Sequence, residues 1–188
     1  MKICLDPGHG GKDPGAVGPS GLKESYIALE VAKKIKWFLN RFGYMVSITR
    51  TDDTFVGLEE RARIANNSEA DVFCSVHFNA AESSADGIET WYPNNIDNQG
   101  RSYEAGAALS YIVHNSIMRL VATTDRGCKF KDVEREEFYV IRKTLMPACL
   151  LELGFITNPA SEALFKERYY LDRLALGVAI GLDKFCKL

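Results

Sequence analysis

The chain lacks the features of a membrane protein, a disulfide-stabilised protein and a nucleic-acid-binding protein. No apolar run approaches the roughly 18 residues of a membrane span, and residue 1 leads into an apolar segment without a signal-peptide pattern. The five cysteines are odd in number and form no Cys-x-x-Cys motif, which argues against both a disulfide framework and a cysteine-based zinc knuckle. The net charge is −2, which argues against nucleic acid as the main partner because binding to its phosphates needs a basic surface. We therefore expect no membrane span, no nucleic-acid partner and no export signal in this chain.

The composition is that of an ordinary globular protein. Hydrophobic residues make up 46% and charged residues 26% of 188 positions, enough for one domain with a sizeable core. Cys4, Cys74 and Cys149 lie within apolar runs, and we interpret them as small core residues. Free thiols fit synthesis in a reducing compartment.

Strand-like and helix-like patterns alternate along the chain, which predicts an α/β domain with a mainly parallel sheet covered by helices. Neither an internal repeat nor a linker interrupts this alternation. The segment 123–137 is polar, contains glycine and is predicted to be a loop. The predicted strands are 2–6, 45–49, 72–77, 88–92, 138–141 and 148–153, and the predicted helices are 25–42, 58–66, 102–121 and 171–185.

Three chemically reactive side chains lie where predicted apolar strands end. His9 follows the first strand, His77 ends the third, and Glu152 ends the last apolar run. In an open parallel α/β sheet, ligands bind beyond the carboxyl ends of the strands. Together with Glu24, at the start of the first helix, these residues predict the site of a mononuclear metal hydrolase.

The loop that carries His9 is rich in glycine, and this raises the question of phosphate binding. A P-loop requires G-x-x-x-x-G-K-[ST], whereas here Asp13 follows Gly11-Lys12 and Asp6 lies five positions before Gly11. The motif therefore fails at both ends, and Asp13 would repel phosphate. We interpret the loop as a sharp turn that exposes the imidazole of His9.

Each proposed metal ligand also has a plainer explanation. A lone loop histidine such as His9 is often a surface residue, and an acidic residue such as Glu24 in a first helical turn interacts favourably with the helix dipole. His77 favours the metal hypothesis because it places a polar ring at the end of a buried strand. Two histidines, one glutamate and an open position form a known catalytic zinc set, whereas structural sites have four protein ligands.

Glu152 is the candidate catalytic carboxylate. Leucines flank it on both sides, and a buried carboxylate is costly unless it is paired or bound. A partly desolvated carboxyl group has a raised pKa, which suits a general base and acid. The alternative is an outward-facing residue on an edge strand.

Four further residues have open assignments. His114 lies inside the long predicted helix and is interpreted as a surface or hydrogen-bonded helix residue. Arg50 and Arg142 follow apolar runs, so they either meet substrate carboxylates or form ordinary salt bridges. Asn79 either binds substrate or is a turn residue.

Taken together, these motifs resemble the zinc-dependent N-acetylmuramoyl-L-alanine amidases of bacterial cell walls and phage endolysins. The resemblance covers almost the whole chain in order. The segments 79–87 and 123–137 match loosely and are expected to shape substrate choice. The matching positions are 6–11, 13–16, Gly18, Glu24, 49–50, Asp52, 58–61, 65–66, 70–71, 75–80, 126–127, 140–142, 147–148, 151–155 and 158–159.

The resemblance implies a single domain over residues 1–188, with a mostly parallel central sheet of about six strands and helices on both faces. It implies that His9, Glu24 and His77 hold Zn²⁺, with Glu152 as the catalytic carboxylate. The implied reaction cuts the amide between N-acetylmuramic acid and L-alanine in peptidoglycan, with the glycan strand and stem peptide as partners.

The resemblance places the activity at the bacterial cell wall, and we expect a monomer. Without a signal peptide, the chain is expected to stay in the cytoplasm until release, or to be a domain cut from a larger exported protein. Two other functions stay open: another zinc peptidase or deacetylase acting on cell-wall peptides, and an inactive peptidoglycan-binding module. The presence of all three ligands and Glu152 argues against the inactive module.

Overall fold

The computed structural model describes residues 1–93, 103–131 and 138–188, which contain six strands and six helices in a largely alternating order. The strands are β1 (Lys2–Pro7), β2 (Met45–Ile48), β3 (Val72–Asn79), β4 (Ile88–Pro93), β5 (Asp125–Lys131) and β6 (Ala148–Phe155). The helices are α1 (Glu24–Arg41), α2 (Leu58–Asn67), α3 (Tyr103–Met118), α4 (Tyr139–Lys143), α5 (Pro159–Phe165) and α6 (Arg168–Cys186).

The strands form one sheet in the order β2-β1-β3-β6-β4-β5. Every neighbouring pair is parallel except β6 and β4, which run antiparallel. The predicted α/β class with a mostly parallel sheet of about six strands is therefore confirmed.

Helices cover both faces of the sheet, as expected from the alternating pattern. On one face, α1, α3 and α6 contribute core residues such as Val31, Val113 and Val178. On the other face, α2 and α4 contribute Ala65 and Val140 to a smaller core. Apolar residues at helical spacing thus give each helix one buried stripe.

Two predicted elements are wrong, and one helix was not predicted. The predicted loop 123–137 contains β5 at Asp125–Lys131. Residues 132–137 of that loop lie outside the described part of the chain. Ser102, the predicted start of the third helix, also lies outside it. The predicted strand at 138–141 is instead α4, because a short apolar run does not distinguish a buried strand from a buried helix turn. Helix α5 was not predicted, although Asn158 caps it through the amides of Ala160 and Ser161, a recognisable start signal.

The ends of two strands also differ from the prediction. β3 continues past His77 to Asn79, and β6 continues past Glu152 to Phe155. Both candidate residues therefore lie inside their strands, close to the carboxyl ends. Since β6 runs between β3 and β4, the edge-strand explanation of Glu152 is wrong.

The cysteines behave as predicted core residues. Cys4, Cys74 and Cys149 are buried, and all five thiols are free. Burial raises the pKa of the Cys4 thiol to about 11, which suppresses the reactive thiolate. Across the described residues, no helix combines the length and the apolar character needed to cross a membrane.

Candidate metal centre

Three predicted ligands from separate elements converge on one point. His9 lies in the loop after β1, Glu24 is the first residue of α1, and His77 lies in β3. Oε1 of Glu24 is 3.1 Å from Nε2 of His9 and 2.8 Å from Nδ1 of His77. One ligand atom from each of the three side chains lies within 4.8 Å of the other two. We call His9, Glu24 and His77 the ligand cradle.

The backbone of His9 adopts an unusual conformation that aims its ring. Its φ of 57° is left-handed, which is uncommon for a residue other than glycine. Nδ1 of His9 lies 2.8 Å from Oδ2 of Asp13. A carboxylate on one ring nitrogen fixes the tautomer and orientation of a ligating histidine. Nε2 of His9 is thereby turned toward Glu24.

The buried side chain of Arg61 holds the His9 loop by hydrogen bonds. Arg61, which is 2% exposed, donates to Oδ1 of Asp6 at 2.8 Å, to the carbonyl of Pro7 at 2.6 Å and to the carbonyl of His9 at 2.5 Å. Burial raises the pKa of Asp6, but the Arg61 guanidinium and a hydrogen bond from Thr49 outweigh this and lower it. The ionised pair therefore fixes the main chain at the turn.

Arg50 performs a similar task for the neighbouring residues. It is buried and donates to the main-chain carbonyls of Pro7 at 3.0 Å, Gly8 at 2.6 Å and Ser25 at 2.7 Å. Of the two roles considered from the sequence, substrate contact and salt bridge, neither accounts for these main-chain contacts, which the sequence did not predict. Arg50 instead ties the His9 loop to the start of α1.

Two glycines leave room for the imidazole rings. A Cβ atom on Gly15, whose φ is +64°, would lie 2.6 Å from Oε2 of Glu24 and 2.6 Å from Cδ2 of His9. A Cβ atom on Gly8 would overlap the ring of His77. The glycine content of the loop therefore serves close approach of the ligand side chains as well as its sharp turn.

Glu24 is an ionised carboxylate in a buried setting. It is 4% exposed, and its oxygens also accept the amides of Ala16 at 2.9 Å and Phe78 at 3.1 Å. Burial raises the pKa of Glu24, but hydrogen bonds from His77 and His9 outweigh it and hold the pKa well below its ordinary value. Burial lowers the pKa of His9, while Glu24 and Asp13 raise it to a net value above normal. The cradle thus keeps its carboxylate charged near neutral pH.

Glu152 lies beside the ligand cradle on the same face of the sheet. It is the register partner of His77 in β3 and of Glu89 in β4. Paired residues on neighbouring strands point to the same face, so the three side chains form a row. Strands lie about 4.8 Å apart, which places Glu152 within reach of a group bound at the cradle.

The cradle and Glu152 open into one cavity of about 700 Å³. Asn79 also lines this cavity, and its side chain donates to Oε1 of Glu89 at 3.0 Å. The size is in the range of pockets for small organic ligands. The apolar part of the wall is formed by Phe55, Val56, Leu58, Phe138, Val140 and Leu150.

Two remaining candidates have contacts outside the cradle. His114 is buried on α3 and is hydrogen-bonded to Thr90 at 3.1 Å and Asp125 at 2.8 Å, which confirms the interpretation as a satisfied helix residue. Arg142 lies over the ring of Tyr139 at 5.6 Å.

Sequence reasoning missed the residues that support the ligands. Asp13 was considered only as an obstacle to phosphate, although it lies four residues after His9, within reach across a tight loop. Asp6 ends an apolar strand, and a buried carboxylate requires a partner, which is the one signal that pointed toward a buried arginine such as Arg61.

Comparison with known proteins agrees with this geometry. The sequence matches the family described as N-acetylmuramoyl-L-alanine amidase over residues 3–184. It is 36% identical over 182 residues to N-acetylmuramoyl-L-alanine amidase LytC of Bacillus subtilis, covering 95% of this chain and 34% of LytC. It is 37% identical over 187 residues to the endolysin of Bacillus phage SPP1, covering 99% of this chain and 66% of the endolysin.

A solved structure extends the agreement to three dimensions. The N-acetylmuramoyl-L-alanine amidase AmiC2 of Nostoc punctiforme superposes with a TM-score of 0.89 at 31% identity, covering 100% of this chain and 98% of that one. The chain therefore spans about a third of LytC and nearly all of the AmiC2 chain.

Proposed function

This chain belongs to the N-acetylmuramoyl-L-alanine amidase family, enzymes that hydrolyse peptidoglycan, and we propose that its residues 1–188 form one zinc-dependent catalytic domain of that kind. The proposed reaction cleaves the amide between the lactyl group of N-acetylmuramic acid and the first L-alanine of the stem peptide. The observation that carries the proposal is the convergence of His9, Glu24 and His77 beside Glu152 in one cavity.

The donor set fits zinc. Two imidazole nitrogens and one carboxylate oxygen form a three-ligand set of the kind that catalytic zinc sites use. Gly8 and Gly15 leave the space that the rings need, and Asp13 orients His9. When bound to His9, Glu24 and His77, zinc would lower the pKa of a water molecule and polarise a carbonyl group.

Glu152 is proposed to move the proton. It takes a proton from the attacking water as the new C–O bond forms at the scissile carbonyl. It then delivers that proton to the nitrogen of L-alanine as the C–N bond breaks, so that the products are a carboxylic acid and an amine. Its place in register with His77 supports this role, because His77 is one of the proposed zinc ligands.

The cavity walls are proposed to hold the glycan strand and the stem peptide. Asn79 reaches the cavity with its amide fixed by Glu89, so it presents a positioned polar group to substrate. The apolar side chains of the wall supply contact for the sugar and lactyl carbons. Substrate binding by Asn79 stays a prediction.

The test is the Glu152→Gln variant, which removes the acid–base group and preserves its size. We expect full zinc content by atomic absorption and a loss of turnover on purified cell wall of about a thousandfold, in the middle of the range for general acid–base catalysis. Glu30→Gln, on the exposed side of α1, is the matched control and should retain activity. Wild-type rates in Glu152→Ala would remove Glu152 from the mechanism.

Product analysis separates the proposed reaction from its alternatives. An amidase releases a new L-alanine amine and leaves lactyl-muramic acid intact, whereas a zinc peptidase cuts within the stem and a deacetylase releases acetate. An inactive binding module would give no clearing zone in zymograms of purified wall.

We also propose that the domain is a monomer acting at the bacterial cell wall. Relatives include proteins named probable cell wall amidase LytH, which supports this location. Sedimentation of the purified protein tests the monomer, and fractionation of producing cells tests whether the chain waits in the cytoplasm before release.

A further inference from the structure

The ladder between β4 and β5 contains a bulge. Ile88 pairs with Asp125, but Thr90 pairs with Cys128, so two steps along β4 correspond to three along β5. Gly127 lies within the extra step with a φ of +74°, a left-handed conformation that favours glycine. Bulges of this kind redirect side chains and are common beside active sites.

The bulge brings two cations to one carboxylate. In a regular strand, residues three positions apart point to opposite faces. Arg126 and Lys129 are three apart, yet both reach Oε2 of Glu89, from Nε at 2.9 Å and from Nζ at 2.6 Å. The extra residue therefore turns both side chains toward the face that carries Glu152. We call Arg126 and Lys129 the cation pair.

Glu89 cannot neutralise the cation pair. Its side chain is 5% exposed, and its other oxygen accepts from Asn79 at 3.0 Å and Trp91 at 3.1 Å. Burial raises the pKa of Glu89, but hydrogen bonds from Lys129 and Arg126 outweigh it and lower the pKa. Glu89 alone therefore balances only one of the two cations.

The cation pair retains binding capacity. The side chains of Arg126 and Lys129 are 37% and 33% exposed. Within residues 1–93, 103–131 and 138–188, the hydrogen bond of Arg126 is made through Nε, which leaves both Nη groups for another acceptor. An arginine fork matches a carboxylate, and a lysine ammonium adds a point charge.

The distance to Glu152 suits a peptide substrate. Glu89 pairs with Glu152, and β5 is the second strand from β6, about 10 Å away. Because the cations reach back to Glu89, their charges lie closer than this. An extended peptide advances roughly 3.3–3.6 Å per residue, so the cation pair lies about two residues from the scissile amide.

The cavity wall continues in that direction. Trp91 lies on β4 next to the cation pair, and its ring centroid is 5.0 Å from that of Phe138, which lines the cavity. Lys129 lies over the Trp91 ring at 5.4 Å. A chain leaving the scissile amide along this wall would pass from Phe138 toward Lys129.

We propose that Arg126 and Lys129 form a subsite for a stem-peptide carboxylate carried by the second residue beyond the scissile amide. This inference rests on the proposed amidase function. It makes the domain selective for stems whose second residue keeps its α-carboxyl group free over stems in which that group is amidated.

The test compares two muramyl tripeptides by calorimetry, in the Glu152→Gln background that prevents turnover. They are muramyl-L-alanyl-γ-D-glutamyl-L-lysine and the same molecule with the α-carboxyl group of glutamate as an amide. We expect the free acid to bind about tenfold more tightly, as hydrogen bonds to a charged group of this exposure suggest. Arg126→Gln and Lys129→Gln should each reduce that ratio, and the double variant should abolish it.

Lys33→Gln is the matched control, because it removes the same charge from the exposed side of α1. It should keep the tenfold ratio. Equal affinities for the two peptides, a ratio that survives the double variant, or no measurable binding of the free acid would overturn the subsite. A purely structural pair would lower the melting temperature of the variants and leave the ratio unchanged, which also overturns it.

The proposed amidase function is tested separately by zinc content and wall hydrolysis of the wild type. A protein that cleaves wall but binds both peptides equally refutes the subsite alone. A protein that prefers the free acid but fails to cleave the muramyl–alanine bond refutes the proposed function.

Discussion

The ligand cradle and the cation pair lie at two ends of one row of charged side chains, yet they are built differently. The cradle rests on buried arginines that donate to main-chain carbonyls. The cation pair rests on a single carboxylate and is partly exposed. The first arrangement fixes the side-chain positions that the proposed chemistry requires, whereas the second leaves hydrogen-bond donors available for the proposed carboxylate.

Removing one histidine of the ligand cradle should have the largest effect on zinc binding. His77→Ala should weaken zinc binding about a thousandfold, since zinc affinity of about 10–16 kcal/mol is shared among four ligands in structural sites. Competition with a chelating dye measures it. His114→Ala is the matched control: this buried histidine should lower stability and leave zinc binding intact. Stoichiometric, tight zinc in His77→Ala would contradict the cradle.

Removing the Arg61 side chain, which holds the His9 loop, should cause a large loss of folding stability. Arg61→Met leaves Asp6 buried without its cation and should cost about 3–5 kcal/mol of unfolding free energy, as breaking a buried pair does. Urea denaturation measures this. Arg63→Met on the same helix removes an exposed pair with Glu60 and should cost less than about 1 kcal/mol. Equal losses in the two variants would refute the distinction between buried and exposed support.

A smaller loss of zinc affinity is expected when Asp13, whose carboxylate contacts Nδ1 of His9, is changed. Asp13→Asn keeps the size of the side chain but weakens the hold on Nδ1, and loss of such partners lowers metal affinity about 10–100-fold. The same dye competition measures it. Unfolding of the metal-free protein should change little, because Asp13 is partly exposed. Unchanged zinc affinity would remove Asp13 from the support of the cradle.

The smallest expected effect comes from Gly127→Ala, which should change the cation pair but not the ligand cradle. Gly127→Ala meets open space but forces a left-handed alanine, which costs about 1–2 kcal/mol. We expect this loss of stability, a weaker preference for the free-acid tripeptide, and unchanged zinc affinity. Altered zinc binding would show that the bulge and the cradle are coupled.

Local patterns were sufficient to predict the ligands and most strands. His9 and His77 follow or end apolar runs, and the register of parallel strands brings such positions together. Glu24 was predicted by its place before a helix with a clear apolar stripe. Family resemblance then implied the roles that spacing alone left open, and these roles stay predictions.

Support residues were not predictable in the same way. Nothing local shows that Arg50 turns inward to main-chain carbonyls, since an arginine after a strand is equally suited to the surface. β5 was missed because the bulge at Gly127 breaks the alternation that identifies strands. α4 was taken for a strand because Val140 and Ile141 are adjacent, β-branched and buried in either structure.

The left-handed backbone at His9 has a consequence for how the proposed zinc ion would bind. Arg61 and Asp13 hold this residue through bonds made within the polypeptide alone, so the folded chain adopts the conformation ahead of any ion. Removing zinc with a chelator should therefore leave the ligand cradle in the same conformation. Zinc added back should bind at a rate set by diffusion and desolvation of the ion, with no slow refolding of the loop.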